Sequence, residues 1–175
     1  MGGNLGFDYI PTKAAVSRDV ELRYHIVENP KIGEAGRSLY ASYPWIIFHS
    51  ELPQNLGPID ILHVGSTLQY IEDWRGFLST LADYEPRFFM LTNLQAGEIP
   101  TYATTQIYYD SLIPSWFFNI QEFLQTMAAL KFELIFRSTF RATILGLEQE
   151  MPQENFPASH QIGHACSLLF QRPGV

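Results

Sequence analysis

Two stretches, Met1-Gly2-Gly3-Asn4-Leu5-Gly6 and Tyr24-His25-Ile26-Val27-Glu28, decide how this chain is read. A glycine turn that opens a helix, followed by a short apolar strand ending in a carboxylate, is how α/β sheets hold a nucleotide. Glycines let the backbone approach the ligand, and the carboxylate accepts hydrogen bonds from ribose hydroxyls. The interval from Gly6 to Glu28 leaves room for one helix and one strand, close to the roughly twenty-residue gap of a βαβ unit. The spacing is not G-x-G-x-x-G, which disfavours a nicotinamide or flavin fold. A glycine-rich start is also how a flexible tail reads, so the rest of the chain has to decide.

Working outward, strand-like apolar runs recur. Tyr24–Val27 is the first, and Trp45-Ile46-Ile47-Phe48-His49 is β-branched and aromatic. Residues 59–64 follow the Gly57-Pro58 breaker, residues 87–92 follow Pro86, and 132–137 and Ala165–Gln171 complete the set. Short, nearly continuous apolar strands suit a parallel sheet covered on both faces. Between them, Tyr70, Ile71, Trp74, Phe77, Leu78 and Leu81 recur at helical spacing, predicting a helix over 70–84. Residues 120–130 repeat the pattern, with an Asn119-x-x-Glu122 cap. A short first helix is expected over 13–19. Alternating strands and helices predict an α/β, Rossmann-like, doubly wound sheet. No convincing helix separates 132–137 from 165–171, so these runs are expected to form an antiparallel C-terminal pair.

At 175 residues, with no repeat or linker, the chain reads as a single domain over 1–175. A net charge of −7 without a Lys/Arg run argues against nucleic acid and against electrostatic attachment to an anionic membrane. No apolar stretch is long enough to insert into a membrane, and no signal-peptide pattern opens the chain. The single cysteine, Cys166, lies in an apolar run and reads as a small buried hydrophobe. One cysteine permits no internal disulfide, which fits a cytoplasmic protein.

Ligands of such sheets sit outside the carboxyl ends of the strands. That rule selects Gly65, Ser66 and Thr67 after residues 59–64, Asn93 after 87–92, and Gln106 in the loop beyond. Gly65 would let a ligand approach, and Ser66, Asn93 and Gln106 would orient an acceptor by hydrogen bonds. The structural alternatives are that Ser66-Thr67 caps the next helix and that Asn93 is a turn residue. His63 and His49 can titrate near neutrality and stand as candidate bases, although a strand histidine is commonly a satisfied structural residue. Tyr108 and Tyr109 are candidates for an acceptor pocket, whereas Trp116 and Phe117 are expected in the core. His160 and His164 flank Gly163 without H-E-x-x-H, and read as a solvated loop pair, so no metal is expected. Neither G-x-S-x-G nor a Gly-Lys-Ser/Thr phosphate loop is present.

The chain resembles the class I S-adenosylmethionine-dependent methyltransferases, and within them small bacterial members found near surface-polysaccharide genes. The resemblance runs over essentially the whole chain. It rests on Gly2-Gly3-Asn4-Leu5-Gly6, Ile26-Val27-Glu28, Phe48-His49-Ser50-Glu51-Leu52-Pro53 and, most specifically, residues 60–71. Thr105-Gln106-Ile107 and Ile113-Pro114-Ser115-Trp116-Phe117 add to it.

It implies a sheet of order 3-2-1-4-5-7-6 with an antiparallel strand 7, and S-adenosylmethionine as cofactor. Gly2, Gly3 and Asn4 would lie by the cofactor's amino-acid end, Glu28 would hold the ribose hydroxyls, and Ser50 and Glu51 would border the adenine. The residues' own positions, beside the resemblance, make His63, Ser66 and Gln106 the catalytic candidates and put Asn93, Tyr108 and Tyr109 toward a small-molecule or saccharide-precursor acceptor. The family's first strand would precede Met1, so the resemblance implies a domain lacking strand 1, truncated at the glycine motif. The alternative is a non-catalytic methyltransferase-like binding or assembly module. Either form is compatible with a homodimer, because an open sheet edge pairs readily.

Overall fold

The computed structural model describes residues 4–108, 110–144, 147–149 and 151–174. It comprises two compact units, Met1–Leu56 and Gly57–Val175.

The first unit is a two-stranded parallel sheet with two helices. Strand β1 (Tyr24–Val27) pairs with β2 (Ile46–His49), Ile26 opposite Phe48. Helix α1 (Tyr9–Ala15) precedes β1, and α2 (Pro30–Leu39) joins the strands. The first helix therefore starts and ends earlier than the 13–19 expected, with Tyr9 as its buried residue. The second was not anticipated from periodicity, yet its start is written in Asn29-Pro30. Asn29 Oδ1 accepts from Ile32 N at 3.0 Å, and the proline occupies the first turn, where its missing N–H costs nothing. Tyr9, Ile26, Ile46 and Phe48 form the core, flanked by Leu22, Tyr24 and Tyr40. Gly36 is required because any Cβ there would overlap the Phe48 ring.

The second unit is built on a four-stranded sheet of order β3-β4-β11-β8. Its strands are β3 (Ile61–Gly65), β4 (Phe88–Leu94), β8 (Glu133–Phe140) and β11 (Ala165–Gln171). β3 and β4 are parallel, while β11 runs antiparallel to both β4 and β8. The expected antiparallel C-terminal pair is thus β8 and β11. Helix α3 (Trp74–Ala82) is shorter than the 70–84 expected. Asp73 caps it by accepting from Gly76 N, and Leu68–Tyr70 form a separate 3-10 turn. Helix α4 (Ile120–Ala129) starts as its cap predicts, Asn119 Oδ1 accepting from Glu122 N at 2.9 Å.

Trp74 packs edge-on to Phe118 and stacks on Phe123, joining α3, α4 and the strand before α4. Phe89, Phe132, Leu168 and Phe170 are fully buried as well, Phe89 packing edge-on to Phe132. Cys166 is buried too, and burial raises its thiol pKa. Phe117 is buried as expected, while Trp116 is only half-buried.

Two features depart from the sequence reading. Gln106 is expected in a loop, but lies in a hairpin of β6 (Tyr102–Tyr108) and β7 (Ser111–Asn119). A two-residue β5 (Ala96–Gly97) lies parallel to the end of β7. The apolar run at 132–137 was expected to be covered on both faces, yet Leu134, Ile135 and Phe136 of β8 are exposed. Short strands β9 (Ala142–Ile144) and β10 (Leu147–Gln149) form an antiparallel pair before the 3-10 turn Ala158–His160.

Two expectations follow. Asn119 also donates to Ile99 O at 2.7 Å, so Asn119→Ala should cost about 1–2 kcal/mol in chemical denaturation. His25 Nδ1 and His49 Nε2 lie 2.9 Å apart with their rings stacked. Burial lowers both pKa values below 6.5, helped for His25 by His49 and Arg23. The unfolded chain then takes up these protons first, so the pair's stabilisation is complete above pH 6.5 and is lost as pH falls toward the folded-state values. The melting temperature should drop between about pH 7.5 and pH 5.5, and His49→Gln should flatten that dependence.

Candidate functional site

In the first unit the candidate site is built on Glu28, the residue that follows β1. The residue as a whole is buried, 8% exposed. Oε2 accepts from Asn4 N at 2.9 Å, and Oε1 accepts from Asn29 N at 2.8 Å and Asn29 Nδ2 at 3.2 Å. A carboxylate offers about four lone-pair positions, so roughly one stays available to a ligand hydroxyl. The N-terminal turn reaches Glu28 through Asn4, and both Asn4 and Gly6 have positive φ (50° and 80°). A Cβ at Gly6 would lie 2.8 Å from Ile26 Cδ1, so a side chain here is excluded by space as well as by backbone conformation. Tyr40 Oη donates to Gly6 O at 3.2 Å and fixes the turn from the other side.

Gly2 and Gly3, expected beside the cofactor, lie outside the described residues. Ser50 and Glu51 follow β2 directly and are exposed. His49, a candidate base, is engaged with His25. Asn29 was not singled out, although Asn before Pro is the signal that places it.

In the second unit the carboxyl ends of β3 and β4 lie side by side, Gly65 opposite Thr92. Ser66 N donates to Thr92 O at 3.0 Å, and Asn93 Nδ2 donates to Ser66 Oγ at 2.9 Å. Both residues are left-handed, Ser66 at φ 49° and Asn93 at φ 54°. Two adjacent non-glycine residues in this region, joined by a hydrogen bond at the ligand end of a parallel pair, store strain where such sheets bind ligands.

Neither structural alternative applies. Thr67 Oγ1 donates to Gly65 O at 2.7 Å and makes no cap, and Asn93 lies within β4 rather than in a turn. His63, exposed on β3, shares a 2.8 Å hydrogen bond with Thr92 Oγ1. Gln106 sits inside β6, not in a loop, and its Oε1 accepts from Tyr70 Oη at 3.0 Å. The three proposed catalytic residues are therefore distributed over three hydrogen-bonded pairs: His63–Thr92, Ser66–Asn93 and Gln106–Tyr70.

Thr92 and Tyr70 are additions to the set. Tyr70 was read as part of a helical stripe, and Thr92 only as a strand end. Tyr109 and the side chain of Tyr108 lie outside the described residues. His160 packs edge-on to Tyr102, and His164 Nε2 lies 3.5 Å from Glu148 Oε1. Among the described residues no group of three or more His, Cys, Asp or Glu is placed to hold a metal ion. No helix among them is long and apolar enough to cross a membrane.

No family model matches the chain, and no curated protein sequence matches it. Solved structures do share its fold. The CcbJ methyltransferase from Streptomyces caelestis aligns at 11% identity and a TM-score of 0.58, over 98% of this chain and 81% of its own. The 1,6-didemethyltoxoflavin-N1-methyltransferase of Burkholderia thailandensis, with bound 1,6-didemethyltoxoflavin and S-adenosylhomocysteine, aligns at 14% identity and a TM-score of 0.61. That match covers 98% of this chain and 68% of the other. LepI in complex with SAM matches at 10% identity and a TM-score of 0.59 over 98% of this chain, which spans about two-fifths (41%) of LepI. The fold is thus methyltransferase-like α/β with mixed parallel and antiparallel pairing.

The strained pair gives a direct test. Replacing Ser66 by Gly removes the left-handed penalty but also the acceptor of the Asn93 bond. With the strain of order 1 kcal/mol or more and an exposed hydrogen bond worth about 0.5 kcal/mol, Ser66→Gly should stabilise by up to about 1 kcal/mol. Ser66→Ala keeps the strain and should destabilise by about 0.5 kcal/mol. Denaturation of both variants checks the sign difference.

Proposed function

We propose that this chain is a methyltransferase domain over residues 1–175, with S-adenosylmethionine as methyl donor and a small molecule or saccharide precursor as acceptor. The observation that carries the reading is the buried Glu28 carboxylate at the carboxyl end of β1, already gripping the N–H of Asn4 in the preceding turn. A carboxylate so placed, with about one acceptor position unused, fits a ribose hydroxyl. The fold shared with CcbJ and the toxoflavin enzyme supports the same reading.

Bound S-adenosylmethionine supplies an electrophilic sulfonium methyl. The part left to the protein is placement, since in-line transfer gains most from a fixed approach. Asn4 and Glu28 would hold the cofactor, with Ser50 and Glu51 bordering its base. At the end of β3, the His63 ring and Thr92 Oγ1 already pack against Gly65. Ser66 and Asn93, locked to each other, present a hydroxyl and an amide of fixed direction to an acceptor. Gln106 Nε2 serves the same purpose, because its Oε1 is pinned by Tyr70. His63, oriented through Thr92, is the group of this set whose ring nitrogen would take a proton from a hydroxyl acceptor. The reading takes the chain as cytoplasmic, a placement that rests on the sequence pattern alone.

Calorimetric titration with S-adenosylhomocysteine tests this proposal. The chain should bind with micromolar affinity, and Glu28→Ala should weaken binding at least tenfold. The variant leaves the Asn4 and Asn29 amides without their acceptor, so its fold is verified by circular dichroism. A folded wild-type chain that binds nothing contradicts the proposal.

A further inference from the structure

β6 is the outer strand of the sheet β5-β7-β6, and among the described residues no strand pairs with its free edge. Open edges invite pairing with another chain, and proteins usually blunt them with charges, prolines or bulges. β8, the outer strand of the four-stranded sheet, is blunted in this way. It carries Glu133 and Arg137, and its ladder with β11 breaks register between Leu169 and Phe170, leaving Ile135 unmatched. β6 has none of these devices. Its sequence Tyr-Ala-Thr-Thr-Gln-Ile-Tyr contains no charge and no proline, and its ladder with β7 runs without a shift from Tyr102–Phe117 to Tyr108–Ser111.

The strand is also chemically palindromic about Thr105. Laid antiparallel on a second copy, Thr105 meets Thr105, Thr104 meets Gln106, and Ala103 meets Ile107, while positions 102 and 108, both tyrosine, fall opposite. A β-branched pair at the centre and a small residue facing a large one on each side are good cross-strand partners. A two-fold axis normal to the sheet keeps each face on its own side. Ala103, Thr105 and Ile107 are exposed on one face, together with Leu112 and Pro114 of β7. Ile107 is 77% and Leu112 69% exposed, so the ribbon presents an apolar surface.

Backbone geometry agrees with this register. Pro114 has no N–H to donate, so Thr105–Pro114 is the kind of cross-strand pair that exchanges no backbone hydrogen bonds. Alternation then turns the N–H and C=O of Ala103, Thr105 and Ile107 away from β7, toward the open edge. Those are the residues that the two-fold pairing joins, forming about six backbone hydrogen bonds between copies.

We propose that a second copy of this chain docks on β6 and makes a homodimer through antiparallel β6–β6 pairing centred on Thr105. The occupant is the same strand, because its register matches itself in size and polarity and it bears no charge to repel a copy. The pairing does not depend on the methyl-transfer reading, although it brings the partner subunit's Thr104 opposite Gln106.

Sedimentation velocity at tens of micromolar tests it, with three variants. The wild-type chain should sediment as a dimer. Thr105→Lys, which sets two ammonium groups face to face on the axis, should be a monomer with unchanged circular dichroism. Ser138→Lys, on the β8 edge, should remain dimeric. The double variant A103C/I107C should form an intermolecular disulfide on mild oxidation. Its two sites are four residues apart, roughly 13 Å along one strand, too far to close within a chain. A monomeric wild type, a dimeric Thr105→Lys, a Ser138→Lys that dissociates, or no cross-link in the double variant would each overturn the proposal.

Discussion

The interaction on which the first unit depends is the buried Glu28 carboxylate. It fastens the N-terminal turn to the end of β1 and also closes the start of α2 through Asn29. Burying a carboxylate is costly unless hydrogen bonds compensate, and here two backbone amides and a side-chain amide do so. The same bonds set the turn at the carboxyl end of a parallel strand. Gly6 permits the approach because neither its φ nor the gap to Ile26 would admit a side chain. Structural role and proposed binding role therefore share one side chain, and a substitution at Glu28 must be judged on both.

The second unit solves a similar problem with strain instead of burial. Ser66 and Asn93 adopt left-handed backbones at the ends of neighbouring strands and hold each other by one hydrogen bond.

Much of this was legible in the sequence, for particular reasons. β1 and β11 have the limits their apolar runs suggest, and α4 begins where Asn119 and Glu122 place it. The β6–β7 hairpin was not legible. Pro114 argued against a strand, and no Asn-Gly or Gly-Gly marks the turn. Pro114 is tolerated because it faces Thr105 where no backbone bond is exchanged. Gln106 was consequently placed in a loop when it belongs to a strand, and its partner Tyr70 was assigned to a helix that starts later. β8 misled in the opposite sense, since an apolar run shows strand propensity but not whether its faces are covered. The pairings His63–Thr92 and Ser66–Asn93 join residues distant in sequence, so only the parallel register of β3 and β4 reveals them.

The central claim is that Glu28 and the turn it holds form a cofactor cradle. Amide hydrogen exchange with and without S-adenosylhomocysteine addresses it most directly. The account predicts added protection in peptides spanning Asn4–Gly6 and Glu28–Asn29, with β8 unchanged. Exchange that is identical in the presence of saturating S-adenosylhomocysteine, or protection that appears elsewhere and spares Asn4 and Glu28, would contradict it.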